Sequence, residues 1–158
     1  MAATRPRPTG THAFWSFWCF RWDFHYTIWH YCCHGPLAVF EGTLLINWYL
    51  RAMGATIGKN VVIGDPFAFT VDPDMIACAD GATVNASFQA HTFEDRVLKI
   101  DEVRIESNAT VGHAATLLYG SIVGARASVM ANSAVMKHEH LQPDREYAGC
   151  PTRTRSKY

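Results

Sequence analysis

The stretch IESNATVGHAATLLYGSIVGARASVMANSAVMK, residues 105–137, sets Ile105, Val111, Leu117, Val123, Val129 and Val135 six residues apart without a slip. Four residues after each of the first five stands a small one: Ala109, Ala115, Ser121, Ala127 and Ser133. A helix cannot hold a six-residue period on one face, and an alternating strand has no need of a small residue at a fixed offset. The period predicts a β-solenoid, in which each hexad is one short strand plus a corner. Three hexads close a triangular coil, and coils stack at about 4.8 Å. The aliphatic residue points inward, the small one fits the tight turn, and the Gly and Asn at other offsets tolerate corner dihedrals.

Earlier hexads are visible at Ile57 and Ile63 and again at Cys78 and Val84. The frame shifts by three near Val71 to Met75, where a short bulge or loop belongs. It is lost again across HTFEDRVLKIDE, His91 to Glu102, whose charge and position between two hexad blocks predict a loop projecting from the coil. Upstream the composition changes: thirteen of the twenty aromatic residues fall between Phe14 and Tyr49. Spacings such as Trp15/Trp18/Trp22 and Trp22/Tyr26/Trp29 suit a helix, with aromatics on every side of it. Gly35 and Pro36 are expected to end this segment and Leu37 to Met53 to form a second helix, giving a helical hairpin. The organisation read from the chain is therefore a flexible start over 1–12, an aromatic helical segment over 13–53, a solenoid over 54–151 with a loop at 91–102, and a tail over 152–158.

With 158 residues, 49% hydrophobic and 18% charged, the chain is long and apolar enough for one globular domain. Fourteen basic and fourteen acidic residues cancel, which argues against nucleic acid or anionic lipid as a partner through charge. Five Cys, only two of them adjacent, form neither a disulfide framework nor a CxxC pair, and point to a reducing, cytoplasmic setting. No signal peptide and no free-standing transmembrane helix is evident. Two readings of the aromatic segment stand side by side: it covers the next domain or a neighbouring subunit, or it docks peripherally on a membrane or another protein. The spacing of His25, His30, Cys32, Cys33 and His34 matches no standard zinc pattern, and no metal is expected.

IGKNVVIGD (57–65), a His followed by an inserted loop, VGHAATLLYGSIVGARASVMANSAVMK (111–137) and the closing YAGCPTR (147–153) together resemble the hexapeptide-repeat acyltransferase superfamily over residues 54 to 155. FEGTLLINWYLRAMGATIG, FQAHTFEDRVLKIDEVRI and SAVMKHE are most similar to the C-terminal β-helix module of Pls/PosA-type nonribosomal peptide synthetases, modules that need not be independent acetyltransferases. The resemblance implies a mainly β fold, a left-handed parallel β-helix behind the helical hairpin, assembled as a homotrimer with active sites between subunits.

It further implies acetyl-CoA or another acyl-CoA as co-substrate, a small-molecule acceptor, and one His as general base; His91 stands at the matching position. His is the side chain able to take a proton from a hydroxyl or amine near neutral pH. Backbone N–H groups at coil corners are candidates for stabilising the oxyanion. Glu94, Asp95, Glu139 and His113 are candidates to orient His91 or the acceptor, and the sequence does not choose among them. Gly112, Ala114, Gly124 and Ala131 are candidates for the small residues along a pantetheine groove, and Lys137 and Arg153 for the CoA phosphates. Two readings compete. A γ-carbonic-anhydrase-like zinc site from His91 and His113 lacks its third His, because Leu118 occupies that place. A non-catalytic trimerising or docking module fits the synthetase resemblance and the aromatic segment.

Overall fold

In a computed structural model, residues 9–65 and 72–155 are described, the side chains of Cys33 and His34 excepted. The expected frame shift therefore falls partly outside the described residues, at Val71, as do the first eight residues and the last three. From Ala55 onward the chain winds through short parallel strands on three faces. The first face stacks β2 (Thr56–Ile57), β4 (Ile76–Cys78), β8 (Val103–Ile105), β10 (Ile122–Val123) and β13 (His140–Leu141). The second stacks β3 (Val62–Ile63), the start of β5 (Thr83–Gln89), the start of β9 (Thr110–Leu118), β11 (Ser128–Val129) and β14 (Glu146–Ala148). The third pairs the ends of β5 and β9 with β12 (Ala134–Val135).

Register turns the hexads into columns. Ile57, Cys78, Ile105, Val123 and Leu141 stand one above another, as do Ile63, Val84, Val111, Val129 and Tyr147. All of these are buried, and so are the small residues Ala109, Ala115, Ser121, Ala127 and Ser133. Burial also pushes the Cys78 thiol up to about 12, as expected for an inward, inert cysteine. The corners have a period of their own. Asn108, Ala114, Gly120, Arg126, Asn132, His138 and Asp144 all have φ between 55° and 72°. Asn and Asp reach this left-handed region at low cost, whereas Ala114, Arg126 and His138 are held there by the stack around them. Arg126 is further tied to Asp144 one coil on, by two hydrogen bonds of 2.6 Å.

The 91–102 insertion is a β-hairpin. β6 (His91–Glu94) and β7 (Val97–Ile100) pair antiparallel around Asp95 and Arg96, both at positive φ, the backbone that a two-residue hairpin turn requires. The outer edge of β7 is closed by β1 (Gly10–Ala13), running antiparallel to it, with Phe14 N–H donating to Arg96 O at 3.0 Å. Residues 10–12, expected to be flexible, are thus a strand: an open strand edge is a ladder of unpaired N–H and C=O groups, and the start of the chain satisfies it. At the far end, Arg153 and Thr154, expected in a tail, form β15, antiparallel to β14.

The helices also differ from the expected hairpin. α1 (Phe17–Ile28), opened by Ser16 whose Oγ accepts from Cys19 N–H at 3.2 Å, continues through a π-turn (Trp29–Cys33) into α2 (His34–Ala38). Gly35 and Pro36 do not stop it: both lie inside α2, directly after the π-turn. The break comes at Gly42 (φ 74°), before α3 (Leu44–Ala52). α3 buries Ile46, Asn47 and Leu50 against the first coil, where Asn47 Nδ2 donates to Val61 O at 2.6 Å and Arg51 Nε to Ile57 O at 2.9 Å. One helix thereby caps the open end of the solenoid core and satisfies its terminal carbonyls.

Candidate functional site

His91 begins the hairpin, where alternation along β6 sets it on the same face as Phe93. Its ring is mostly covered, 12% exposed, and Nδ1 lies 2.6 Å from Asp72 Oδ2. Asp72 is itself 1% exposed and opens the 3₁₀ turn (Pro73–Met75) that leads into β4. Its other oxygen accepts from Trp22 Nε1 at 2.8 Å, in a bond buried between α1 and the coil. An ionised carboxylate can only accept, so Nδ1 carries the proton in this contact, and the neutral tautomer that fits it keeps its lone pair on Nε2. Trp22 also packs its ring on His91, 4.7 Å between centroids, and Phe93 completes the contact at 6.0 Å. The arrangement holds one ring nitrogen as donor to a buried carboxylate, so that in the neutral ring the other nitrogen is the basic one.

The acid that holds His91 is therefore Asp72, which the sequence reading did not single out; nor did that reading give Trp22 a role. Two signals were available: an Asp beside Pro73 inside the frame break, and a Trp at helical spacing in the aromatic segment. Of the acids it did single out, Glu94 and Glu139 are engaged elsewhere. Glu94, at the far end of β6, pairs with Lys99 at 2.8 Å and with Lys137 from the coil. Those two ammonium groups, Lys137 first, hold its carboxyl down to about 2. Asp95 is at the hairpin tip. Glu139 accepts from Met136 N–H at 2.7 Å and from the Thr152 hydroxyl at 2.7 Å, fastening the closing YAGCPTR segment to the coil. His113 is exposed beside the corner at Ala114, its carbonyl accepting from Asn132 N–H.

The candidate groove residues divide. A Cβ on Gly112 would stand 2.6 Å from Ala131 N, and one on Gly124 would stand 2.5 Å from Leu141 O, so both glycines are required by contact with the next coil whatever else they do. Ala114 and Ala131 are exposed at corners. Lys137, read as a phosphate contact, is instead drawn to Glu94, with its ammonium 5.6 Å from the centre of the Tyr119 ring. Arg153 is exposed and unpaired among the described residues. Also among them, no three His, Cys, Asp or Glu side chains are grouped to hold a metal, and no helix is long and apolar enough to cross a membrane.

Beyond the wall that Trp22 and Phe93 form beside His91 lies an open groove of about 420 Å³ between α1 and the hairpin. The aromatic segment remains widely exposed: Trp15 is 90% and Phe17 77% accessible, and Phe20, Phe24, Tyr31, Leu44 and Trp48 are exposed too.

No family model matches the chain. Delta-poly-L-ornithine synthetase of Acinetobacter baumannii (strain AB307-0294) is 30% identical over 113 residues, covering 70% of this chain. The match spans 8% of that much longer protein. Among solved structures, a hexapeptide-repeat acetyltransferase of Vibrio cholerae complexed with acetyl-CoA superposes with a TM-score of 0.62 at 15% identity, covering 89% of this chain and 88% of that one. A maltose O-acetyltransferase of Clostridium difficile 630 superposes with a TM-score of 0.61 at 12% identity, covering 94% and 92%. A galactoside acetyltransferase in complex with coenzyme A gives 0.57 at 16% identity, covering 87% and 79%. The fold of this chain is that of the hexapeptide-repeat acetyltransferases.

Proposed function

From that fold we propose an acyl-CoA-dependent acyltransferase that moves an acetyl-sized group to a hydroxyl or amine of a small acceptor, working as a homotrimer of left-handed β-helices with the sites between subunits. The observation that carries this is the His91–Asp72–Trp22 chain: a covered imidazole whose Nδ1 proton is fixed by a buried carboxylate, leaving Nε2 free as a base. His91 Nε2 takes the proton of the acceptor as the acceptor attacks the thioester carbonyl. The imidazolium, stabilised by Asp72, returns that proton to the departing thiolate. Binding of acetyl-CoA by one of the solved structures with this fold, and of coenzyme A by another, supports a CoA thioester as donor. Arg153 is the exposed cation best suited to its phosphates.

A second reading is favoured by one finding. The curated relative is a long synthetase of which this module is 8%, so a non-catalytic trimerising or docking role, through the exposed aromatics to a protein or membrane, is its alternative. Titration calorimetry with acetyl-CoA separates the two without an acceptor being known. Saturable micromolar binding at one site per chain supports the acyltransferase. A folded trimer by light scattering that binds no acetyl-CoA refutes it and supports the docking role. With an acceptor in hand, His91→Ala is expected to lower turnover about 10²- to 10⁴-fold, with little change in CoA affinity.

A further inference from the structure

The groove between α1 and the hairpin has an unusual lining for an apolar pocket. Among the described residues its walls are Phe14, Trp15, Phe17, Phe20, Trp22 and Phe93, together with Ser16 and Cys19, its one charged residue is Asp23, and no Lys or Arg contributes to it. Asp23 is exposed and unpaired among the described residues. Its field nonetheless reaches the groove wall, adding to burial in raising the Cys19 thiol pKa. Aromatic faces with one carboxylate and no competing cation attract an ammonium group, through the ring quadrupoles and the charge together. An anion would be repelled, and a neutral apolar ligand would gain nothing from the carboxylate.

The groove also shares its wall with the candidate base. Trp22 and Phe93 line it and both contact the His91 ring, and Trp22 holds the acid that orients that ring. Phe93 and His91 stand on the same face of β6, so a chain that passes over Phe93 from the groove would be directed toward His91. We infer that this groove binds one alkylammonium group of the acceptor, so that the acceptor is a diamine or a basic amino-acid chain whose second, neutral amine is presented to His91. This rests on the acyltransferase reading for the reaction, though not for the binding. In the reaction the amine nitrogen forms a bond to the acyl carbon, the carbon–sulfur bond breaks, and one amine proton passes by way of His91 to the thiolate, giving an amide and free CoA thiol.

The test is a tryptophan-fluorescence titration of the full chain with 1,5-diaminopentane and, separately, with the neutral 1,5-pentanediol. The diamine is expected to bind saturably and at least about 10-fold more tightly than the diol. Asp23→Asn is expected to weaken it about 5-fold or more, and Trp15→Ala, at an exposed position where folding is not at stake, about 5- to 30-fold. Equal affinity for the diol, an unaffected Asp23→Asn variant, or no diamine binding by folded protein overturns the inference. Calorimetry with acetyl-CoA on the same samples keeps the failures apart. Acetyl-CoA binding without diamine binding removes the groove assignment alone, while diamine binding without acetyl-CoA binding removes the acyltransferase and leaves the groove.

Discussion

Asp72→Asn is the substitution that most directly tests the candidate base. In the native protein the two carboxylate oxygens accept from two different donors, Trp22 Nε1 at 2.8 Å and His91 Nδ1 at 2.6 Å. An amide has one acceptor oxygen and one donor nitrogen, so it cannot serve both. If its oxygen meets Trp22, its N–H₂ faces His91 Nδ1, the imidazole must move its proton to Nε2, and the base is lost. If its oxygen meets His91, the buried indole N–H faces another donor, at a cost of about 1–3 kcal/mol. The first arrangement keeps the buried indole bonded and is the expected one. Turnover should then fall about 10²- to 10⁴-fold, the range for losing a general base through the wrong tautomer, equivalent to roughly 3–5 kcal/mol of transition-state stabilisation. Nitrogen-15 NMR of labelled histidine reads the tautomer without any acceptor: Nδ1–H in the native protein, Nε2–H in the variant. A variant that keeps Nδ1–H, melts with the wild type and turns over at the wild-type rate would refute the assignment of Asp72 as the residue that positions His91.

Two further outcomes follow from the stack and the hairpin. Gly112→Ala puts a methyl 2.6 Å from Ala131 N and 3.0 Å from Met130 C, backbone that cannot move without shifting a whole coil, so denaturant unfolding should show a loss of about 1–3 kcal/mol or more. Gly35→Ala, at a helical site with nothing within 4 Å, should be neutral or gain up to about 1 kcal/mol; equal losses for both would contradict the stacking argument. Glu94 has a folded pKa of about 2, below its ordinary value of 4.5, so the tie it provides between hairpin and coil is complete above about pH 4.5 and is lost as the pH falls toward 2. Glu94, Lys99 and Lys137 are 33%, 31% and 38% exposed, so salt should loosen the tie as acid does. Amide exchange over β7, corrected for intrinsic rate, should rise between pH 4 and 2.5 in the wild type and be raised at both values in Glu94→Gln; identical exchange in the two proteins would remove Glu94 as the anchor.

The six-residue period by itself determined the coil. Each hexad repeats one local demand, an aliphatic residue inward and a small one at the turn, and a demand met within six residues is written in the chain. Ile105, Val111, Leu117, Val123, Val129 and Val135 accordingly form the buried columns that their spacing implies. The left-handed corners from Asn108 to Asp144 keep the same period, yet only Asn108, Gly120, Asn132 and Asp144 among them announce it by residue type, since stacking forces Ala114, Arg126 and His138 into place. The period marked where the chain leaves the coil, and the family resemblance picked out His91 at that point as the candidate base. Its partners were not legible, because Asp72 lies 19 residues before it and Trp22 another 50 before Asp72, in segments without the repeat. Only packing α1 onto the coil brings indole, carboxylate and imidazole within hydrogen-bond reach, and only that packing opens an aromatic groove beside them. Contacts between segments so far apart are set by which surfaces must be buried together, a property of the whole fold rather than of any stretch of the chain.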